Sequence, residues 1–216
     1  ETDSELFADV LWPKWLLQCM EAWRGWRKGD VGTKKFDAVL TFSGAQGIGK
    51  STFFARLVPP ALFQGEAALH LDQYSAKDDQ LAVLQYALAE LSELDATFSK
   101  SAQASLKSFL SKTTDTLRLP YGRKAETWPR GTVFCASVNV TQFLQDESGN
   151  RRYWAVHVDR IDRAALAAVP PGQLWAQVNA LWEAGAGYTL TADERMRLDL
   201  ELEGMRAPSH IEELFH

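Results

Sequence analysis

The apolar and polar positions divide the chain into alternating helices and strands. After Pro13, Trp15, Leu16, Cys19, Met20 and Trp23 fall on one broad face, which predicts a core-facing helix to about residue 28. A polar, basic connector runs from Gly29 to Lys35. Val39-Leu-Thr-Phe-Ser43 is a continuous apolar run of strand length, and a helical pattern from Gly49 to about Leu57 follows it, closed by Pro59-Pro60. Ala67–Asp72 reads as a second strand ending in a carboxylate, and Lys77–Gln80 as the opening of a helical turn. Tyr86–Asp95 reads as a third strand with carboxylates at its carboxyl end. A helix is predicted from about Ser101 to Lys112, then a loop or hairpin over 113–130, marked by Pro120, Gly122 and Pro129. Thr132–Asn139 and Tyr153–Val158 are buried strands. From Ile161 the pattern is helical. Gln173–Trp182 is amphipathic, Gly185-Ala-Gly187 ends it, and Thr191-Ala-Asp-Glu194 has the form of a capping box.

Strands alternating with helices predict an α/β fold with a central, mainly parallel sheet and a site at the strand carboxyl ends. The expected organisation is an N-terminal helical segment over 1–36, a core over 37–160 with a basic insertion at about 107–130, and a C-terminal helical segment over 161–216. At 216 residues the chain is long enough to bury a full core. Cys19 and Cys135 are too far apart for a disulfide framework or a metal spacing, and are expected as small core residues in a reducing compartment. No run approaches a membrane span, so no membrane partner is expected. The chain opens on Glu1 rather than Met, as a domain cut from a longer protein would.

Charge changes the picture locally. Lys100, Lys107, Lys112, Arg118, Arg123, Lys124 and Arg130 are opposed only by Asp115 and Glu126. The segment therefore carries about +5 and the remainder about −10, within a net charge of −5. A basic patch on an acidic body suits a protein that grips a polyanion at one place.

The chemistry concentrates between the first strand and its helix. Gly44, Gly49, Lys50 and Ser51 complete the pattern G-x-x-x-x-G-K-[ST]. Glycines let successive backbone N–H groups converge on an anion without Cβ clashes, and the helix opening adds its orphan N–H groups. Gly44, Gln46, Gly47, Ile48, Gly49, Lys50, Ser51 and Thr52 are thus the expected ATP-binding residues. Lys50 would reach the β- and γ-phosphates and Ser51 would hold Mg²⁺. Hydrolysis also needs a carboxylate from a second strand. Asp72 competes for that place with Glu90 and Glu93, of which Glu93 is favoured as base and Glu90 as support on the metal side. Asn139, ending a buried strand, is placed to orient water or touch the γ-phosphate. Arg151 and Arg152 could neutralise charge on the transferring phosphoryl group, from the same subunit or a neighbour.

Five segments in this order carry a family resemblance: Gly44–Thr52, Ala89–Asp95, Asp115–Arg123, Ser137-Val-Asn139 and Gly149-Asn-Arg-Arg-Tyr-Trp154. Together the chain resembles the virulence-associated protein E family of phage and mobile-island P-loop ATPases, which is itself similar to the AAA+-like superfamily 3 helicases. The resemblance covers roughly residues 10–205. It implies that Lys50 and Ser51 belong to Walker A and that the Glu90–Glu93 strand is Walker B, which demotes Asp72. It further implies that Asn139 is the sensor 1 position and that Arg151 and Arg152 match the place of an arginine finger or sensor arginine at a subunit interface. Two departures stand out: Glu-Leu-Ser-Glu in place of adjacent acids, and Ser-Val-Asn in place of Thr-Thr-Asn. Lys107, Lys112, Arg118, Tyr121, Arg123 and Lys124 fall in the interval that, in superfamily 3 helicases, carries a DNA-contacting hairpin.

The expectation is an ATP- and Mg²⁺-dependent motor domain of a replicative helicase in a bacterial host cytoplasm, acting on single-stranded DNA as a homo-oligomer, for which a hexameric ring is one form. A primase domain could be attached. Tyr121 and Trp128 among the bases suit backbone tracking with base stacking. The alternative is a nucleotide-gated DNA-binding or regulatory ATPase that does not unwind. A small-molecule kinase fits poorly, since nothing in the sequence reads as an acceptor pocket.

Overall fold

The structure, a computed structural model, describes residues 2, 4–27, 34–67, 82–91, 100–117, 123–139, 143–144 and 150–206. Asp72, Glu93, Arg118, Tyr121 and the predicted turn at 77–80 lie outside the described residues.

Seven strands are described: β1 (Val39–Ser43), β2 (Phe63–Ala67), β3 (Leu88–Leu91), β4 (Thr114–Leu117), β5 (Glu126–Pro129), β6 (Val133–Val138) and β7 (Tyr153–His157). Five of them form one sheet in the order β2-β3-β6-β1-β7, and every pairing is parallel. β4 and β5 form a separate antiparallel hairpin. The near-continuous apolar runs of β1 and β6 reflect burial on both faces, as a helix-covered parallel sheet requires.

The helices are α1 (Trp12–Arg27), α2 (Lys50–Ala55), α3 (Lys100–Leu110), α4 (Arg163–Ala168), α5 (Pro171–Glu183) and α6 (Ala192–Glu203). On one face, Phe42 of β1 meets Phe54 and Phe53 of α2 at ring-centroid distances of 4.7 and 5.1 Å, and Trp15 of α1 meets Phe54 at 6.1 Å. On the other, Phe109 of α3 packs edge-on against Phe134 of β6 at 5.7 Å. The C-terminal helices join the same core through α1. Trp23 contacts Trp175 at 4.6 Å, Lys14 pairs with Glu194 at 2.5 Å, and Leu198 and Leu202 are fully buried. The Thr191–Glu194 capping box is formed in both directions.

Three sequence expectations shift. The first helix was expected only after Pro13, yet a π-helical turn (Phe7–Leu11) leads straight into α1. Trp12 N–H bonds Phe7 O five residues back, and this widened turn accommodates a proline that lacks an N–H. The second described strand is Phe63–Ala67, which the sequence does not announce, and the expected strand Ala67–Asp72 lies, past Ala67, outside the described residues. Phe63–Ala67 lies at the sheet edge with an irregular register between Gln64 and Ala67, so it has no run of apolar residues to betray it. The third strand starts at Leu88, two residues later than expected. Its described part is Leu88–Leu91, which places Glu90 inside the strand, 2% exposed, and not at a solvated end.

Candidate functional site

The loop between β1 and α2 sits at the carboxyl end of the sheet. Gly44 N–H donates to Val138 O at 3.2 Å, and Val158 N–H donates to Ser43 O at 2.8 Å, so the loop is rooted on both neighbouring strands. Gly44 has φ +151°, and a Cβ there would stand 2.2 Å from Val158 O, an impossible approach. Gly47 (φ +82°) and Gly49 (φ +103°) hold left-handed backbone that side chains rarely adopt. Gln46, Gly47, Ser51 and Thr52 are exposed, and Ile48 is half-buried with its Cδ1 against Gly44.

Lys50 turns back into this loop. It is 5% exposed, and its Nζ donates to Gly44 O and Ala45 O, each at 2.8 Å, and to Asn139 Oδ1 at 3.2 Å. The ammonium thus lies over the mouth of the loop and is joined to the end of β6. Two residues back on β6, on the same side of the strand, Ser137 Oγ donates to Glu90 Oε1 at 2.5 Å. Glu90 Oε2 is buried and accepts no hydrogen bond among the described residues. Burial pushes the Cys135 thiol well up, and the nearby Glu90 carboxylate adds to it. Cys19 and Cys135 are both free, buried thiols, as small core residues should be.

A magnesium ion fits this set in a limited way. Among the described residues no cluster of three or more His, Cys, Asp or Glu could cage a metal. Mg²⁺ characteristically takes one or two protein oxygens and completes its shell with phosphate oxygens and water. The exposed Ser51 hydroxyl and the orphaned Glu90 oxygen are the donors of that kind here.

The arginine pair and the basic hairpin occupy the other end of the sheet. Tyr153 is in register with Val39, so Arg151 and Arg152 precede the amino end of β7, a strand's length of about 16 Å from the loop. The pair thus lies at the opposite end of the sheet from the loop of its own subunit. Arg152 is engaged. Its Nε and Nη2 donate to Ser111 Oγ at 3.0 and 2.6 Å, and it lies 3.6 Å from Asp37. Arg151 keeps an exposed side chain, while its carbonyl accepts from Arg195 Nη1 at 2.6 Å.

The hairpin is fixed at its base by a buried ion pair. Arg130 Nε and Nη2 donate to the two Asp115 oxygens at 2.5 Å each, and Nη1 donates to Phe109 O at 3.2 Å. The guanidinium also stacks 4.4 Å over the Phe109 ring. Arg130, counted in sequence as part of the basic surface, is therefore an internal anchor. Arg123, Lys124 and Trp128 are exposed along the hairpin, Lys107 is half-buried on α3, and Lys112 is exposed with its Nζ 5.6 Å over Phe109.

A virulence-associated protein E-like domain model matches residues 7–205. The chain belongs to that family. Among curated proteins none matches it. Solved chains to which this one is similar include two apo structures of the NrS-1 C-terminal region. One is 13% identical, covering 92% of this chain and 40% of that one with a TM-score of 0.45. The other is 13% identical, covering 96% and 52% with a TM-score of 0.46. JCV helicase bound to a phenoxyphenyl acetamide compound is 12% identical, covering 90% and 61% with a TM-score of 0.39. The chain therefore spans between 40% and 61% of the length of these solved chains.

Three residues beside the loop escaped the sequence reading. Arg163, the first residue of α4, donates from Nη2 to Gly47 O at 3.2 Å, and its Nε is 3.4 Å from where a Gly49 Cβ would be. His157 Nδ1 lies 3.3 Å from Ser43 Oγ, and its Nε2 lies 3.3 Å from Asp159 Oδ1. Ser137 looked like a departure from a motif and is the partner of Glu90. Only Arg163 carried a local signal: it follows Asp162, whose carboxylate caps α4 through Ala164 and Ala165 N–H.

Proposed function

We propose that this chain is the ATP-hydrolysing unit of a phage- or mobile-element-type replicative helicase, coupling hydrolysis to movement along single-stranded DNA. The observation that carries the reading is Lys50 Nζ shared between the loop carbonyls and Asn139, with Glu90 and Ser137 alongside on β3 and β6. Those carbonyls and Asn139 hold the ammonium. Entering phosphate oxygens replace them as partners for Lys50, and the Ala45–Ser51 backbone N–H groups close round the anion. Asn139, released from Lys50, is then free to orient the attacking water. Ser51 and Glu90 would hold Mg²⁺, which would supply positive charge against the phosphates. Glu93, two residues past β3, is the proposed base.

The separation of the loop from the arginines supports assembly. An arginine about 16 Å away across its own sheet meets a phosphate only on a neighbouring chain, so ATP would lie between subunits of a homo-oligomer, a ring being the closed form. Arg151, exposed and free of the Ser111–Asp37 contacts, is the better finger. The hairpin, presenting Arg123, Lys124 and Trp128 at that same end, would track the DNA backbone. A primase partner, in the same or another chain, fits a replicative role. The test is a Glu93→Gln variant. It should retain ATP binding and lose turnover by about 10²–10⁴-fold, and a variant with undiminished turnover would remove Glu93 from the mechanism.

A further inference from the structure

A cavity of about 280 Å³ lies beyond the loop along α2, walled by the amino-terminal helical turn, α2 and α4–α5. That is just under the usual range of roughly 300–1,000 Å³ for small-molecule pockets, so it holds a ring system and not a whole nucleotide. Trp12, Phe53, Leu166 and Leu174 give it an aromatic and hydrocarbon wall, and Arg56 is the charged residue among its lining.

Two elements lead from the loop to the cavity in the same direction. α2 starts at Lys50, and Phe53 follows three residues on, about 4.5 Å of helix rise. α4 starts at Arg163, whose guanidinium touches the loop at Gly47, and Leu166, one turn further on the same face, lines the cavity. A ligand with phosphates along Gly44–Ser51 thus has this apolar space within reach of its other end, with Arg163 at the junction. We propose that the cavity is the nucleobase subsite and that Arg163 is a phosphate-facing positioning residue, an inference that rests on the reading of the loop as a triphosphate site.

The lining sets the specificity. Trp12 and Phe53, 5.4 Å apart and tilted, offer ring faces for stacking, while the Arg56 guanidinium and the Trp12 indole N–H are the wall's donors toward a base's hydrogen-bonding edge, with no side-chain acceptor beside them. Sites built to hydrogen-bond a substrate reject analogues by about 10⁴–10⁵, whereas hydrocarbon pockets discriminate by roughly 10–200-fold. The site therefore takes nucleoside triphosphates as a class, purines ahead of pyrimidines through their larger stacking face.

The test is equilibrium competition against a fluorescent ATP analogue in the presence of Mg²⁺, using ATP, GTP, CTP and inorganic tripolyphosphate. ATP and GTP should bind within about tenfold of each other, and both at least about tenfold more tightly than tripolyphosphate, which has no base. Leu174→Trp, which fills the cavity, should bring ATP down to the tripolyphosphate level and leave tripolyphosphate unchanged. Leu166→Phe should do the same more weakly, and it serves if a melting curve shows that Leu174→Trp does not fold. Arg163→Ala should weaken ATP and tripolyphosphate alike. If the filled variants bind ATP as tightly as wild type while Lys50→Ala abolishes binding, the loop reading stands and the cavity proposal is overturned. A preference for ATP over GTP beyond 100-fold also overturns it. Wild-type protein that binds neither ATP nor tripolyphosphate overturns both readings.

Discussion

Asp115→Asn isolates the buried anchor of the hairpin. The Asp115 and Arg130 side chains are 7% and 1% exposed, and two bonds of 2.5 Å join them in a fork. With the carboxylate gone, Arg130 keeps its bond to Phe109 O and its stacking on the Phe109 ring but has no counter-charge. Breaking one side of such a buried pair costs about 3–5 kcal/mol. The retained Phe109 contacts and the amide oxygen of Asn place this case at the lower end, about 3 kcal/mol. For a chain of 216 residues, about 2–4 °C per kcal/mol gives a fall in Tm of roughly 6–12 °C. The assay is urea unfolding followed by tryptophan fluorescence, repeated at high salt. A buried pair is little screened, so the loss should persist at about 1 M salt, where an exposed pair would show none. The double variant Asp115→Leu/Arg130→Met should recover most or all of the stability, because it leaves no unpaired charge. A single-variant loss under about 1 kcal/mol, or one that vanishes in salt, would refute the argument that this pair is internal.

Other outcomes follow from the same geometry. Arg152→Ala should lower Tm by breaking the Ser111 and Asp37 contacts, whereas Arg151→Ala should leave Tm unchanged and reduce turnover when mixed into wild-type assemblies; equal melting behaviour for the two would contradict their different roles. Gly44→Ala should cost more than about 2 kcal/mol in a denaturant titration, since its Cβ would meet Val158 O at 2.2 Å. At Glu194, burial raises the carboxyl pKa, but the Lys14 contact and the Thr191 bonds outweigh it and hold the pKa below the usual carboxylate value. Stability from this group is therefore present above the ordinary glutamate range and lost as pH falls through the lowered value. Stability measured from pH 7 down to 3 should fall less steeply for Glu194→Gln than for wild type.

Much of the fold was legible because its signals are local. The Val39–Ser43 and Val133–Val138 runs have strand length and near-continuous apolar character, Pro120 and Gly122 fall between the two strands of the hairpin, and Thr191–Glu194 is a capping box in four letters. The loop was legible for the same reason: its glycines and Lys50 are adjacent in sequence. What escaped was decided across the chain. Nothing beside Arg130 says that Asp115 neutralises it. Nothing beside Ser137 says that it donates to Glu90, 47 residues away. The edge strand Phe63–Ala67 is held by pairing on one side, so its sequence need not alternate. The arginine pair illustrates the limit most clearly. Its motif suggests phosphate chemistry, but only the parallel register of β7 with β1 places it at the opposite end of the sheet from the loop of its own chain.

The central claim is that the Lys50–Asn139–Glu90 site hydrolyses ATP in an assembly driven by DNA. The direct measurement is the steady-state ATP hydrolysis rate per chain, taken over a range of protein concentrations with and without single-stranded DNA. The rate per chain should rise with protein concentration as subunits complete one another's sites, rise further with DNA, and disappear in Lys50→Ala. A rate indifferent to both concentration and DNA, or one that survives Lys50→Ala, would contradict the account.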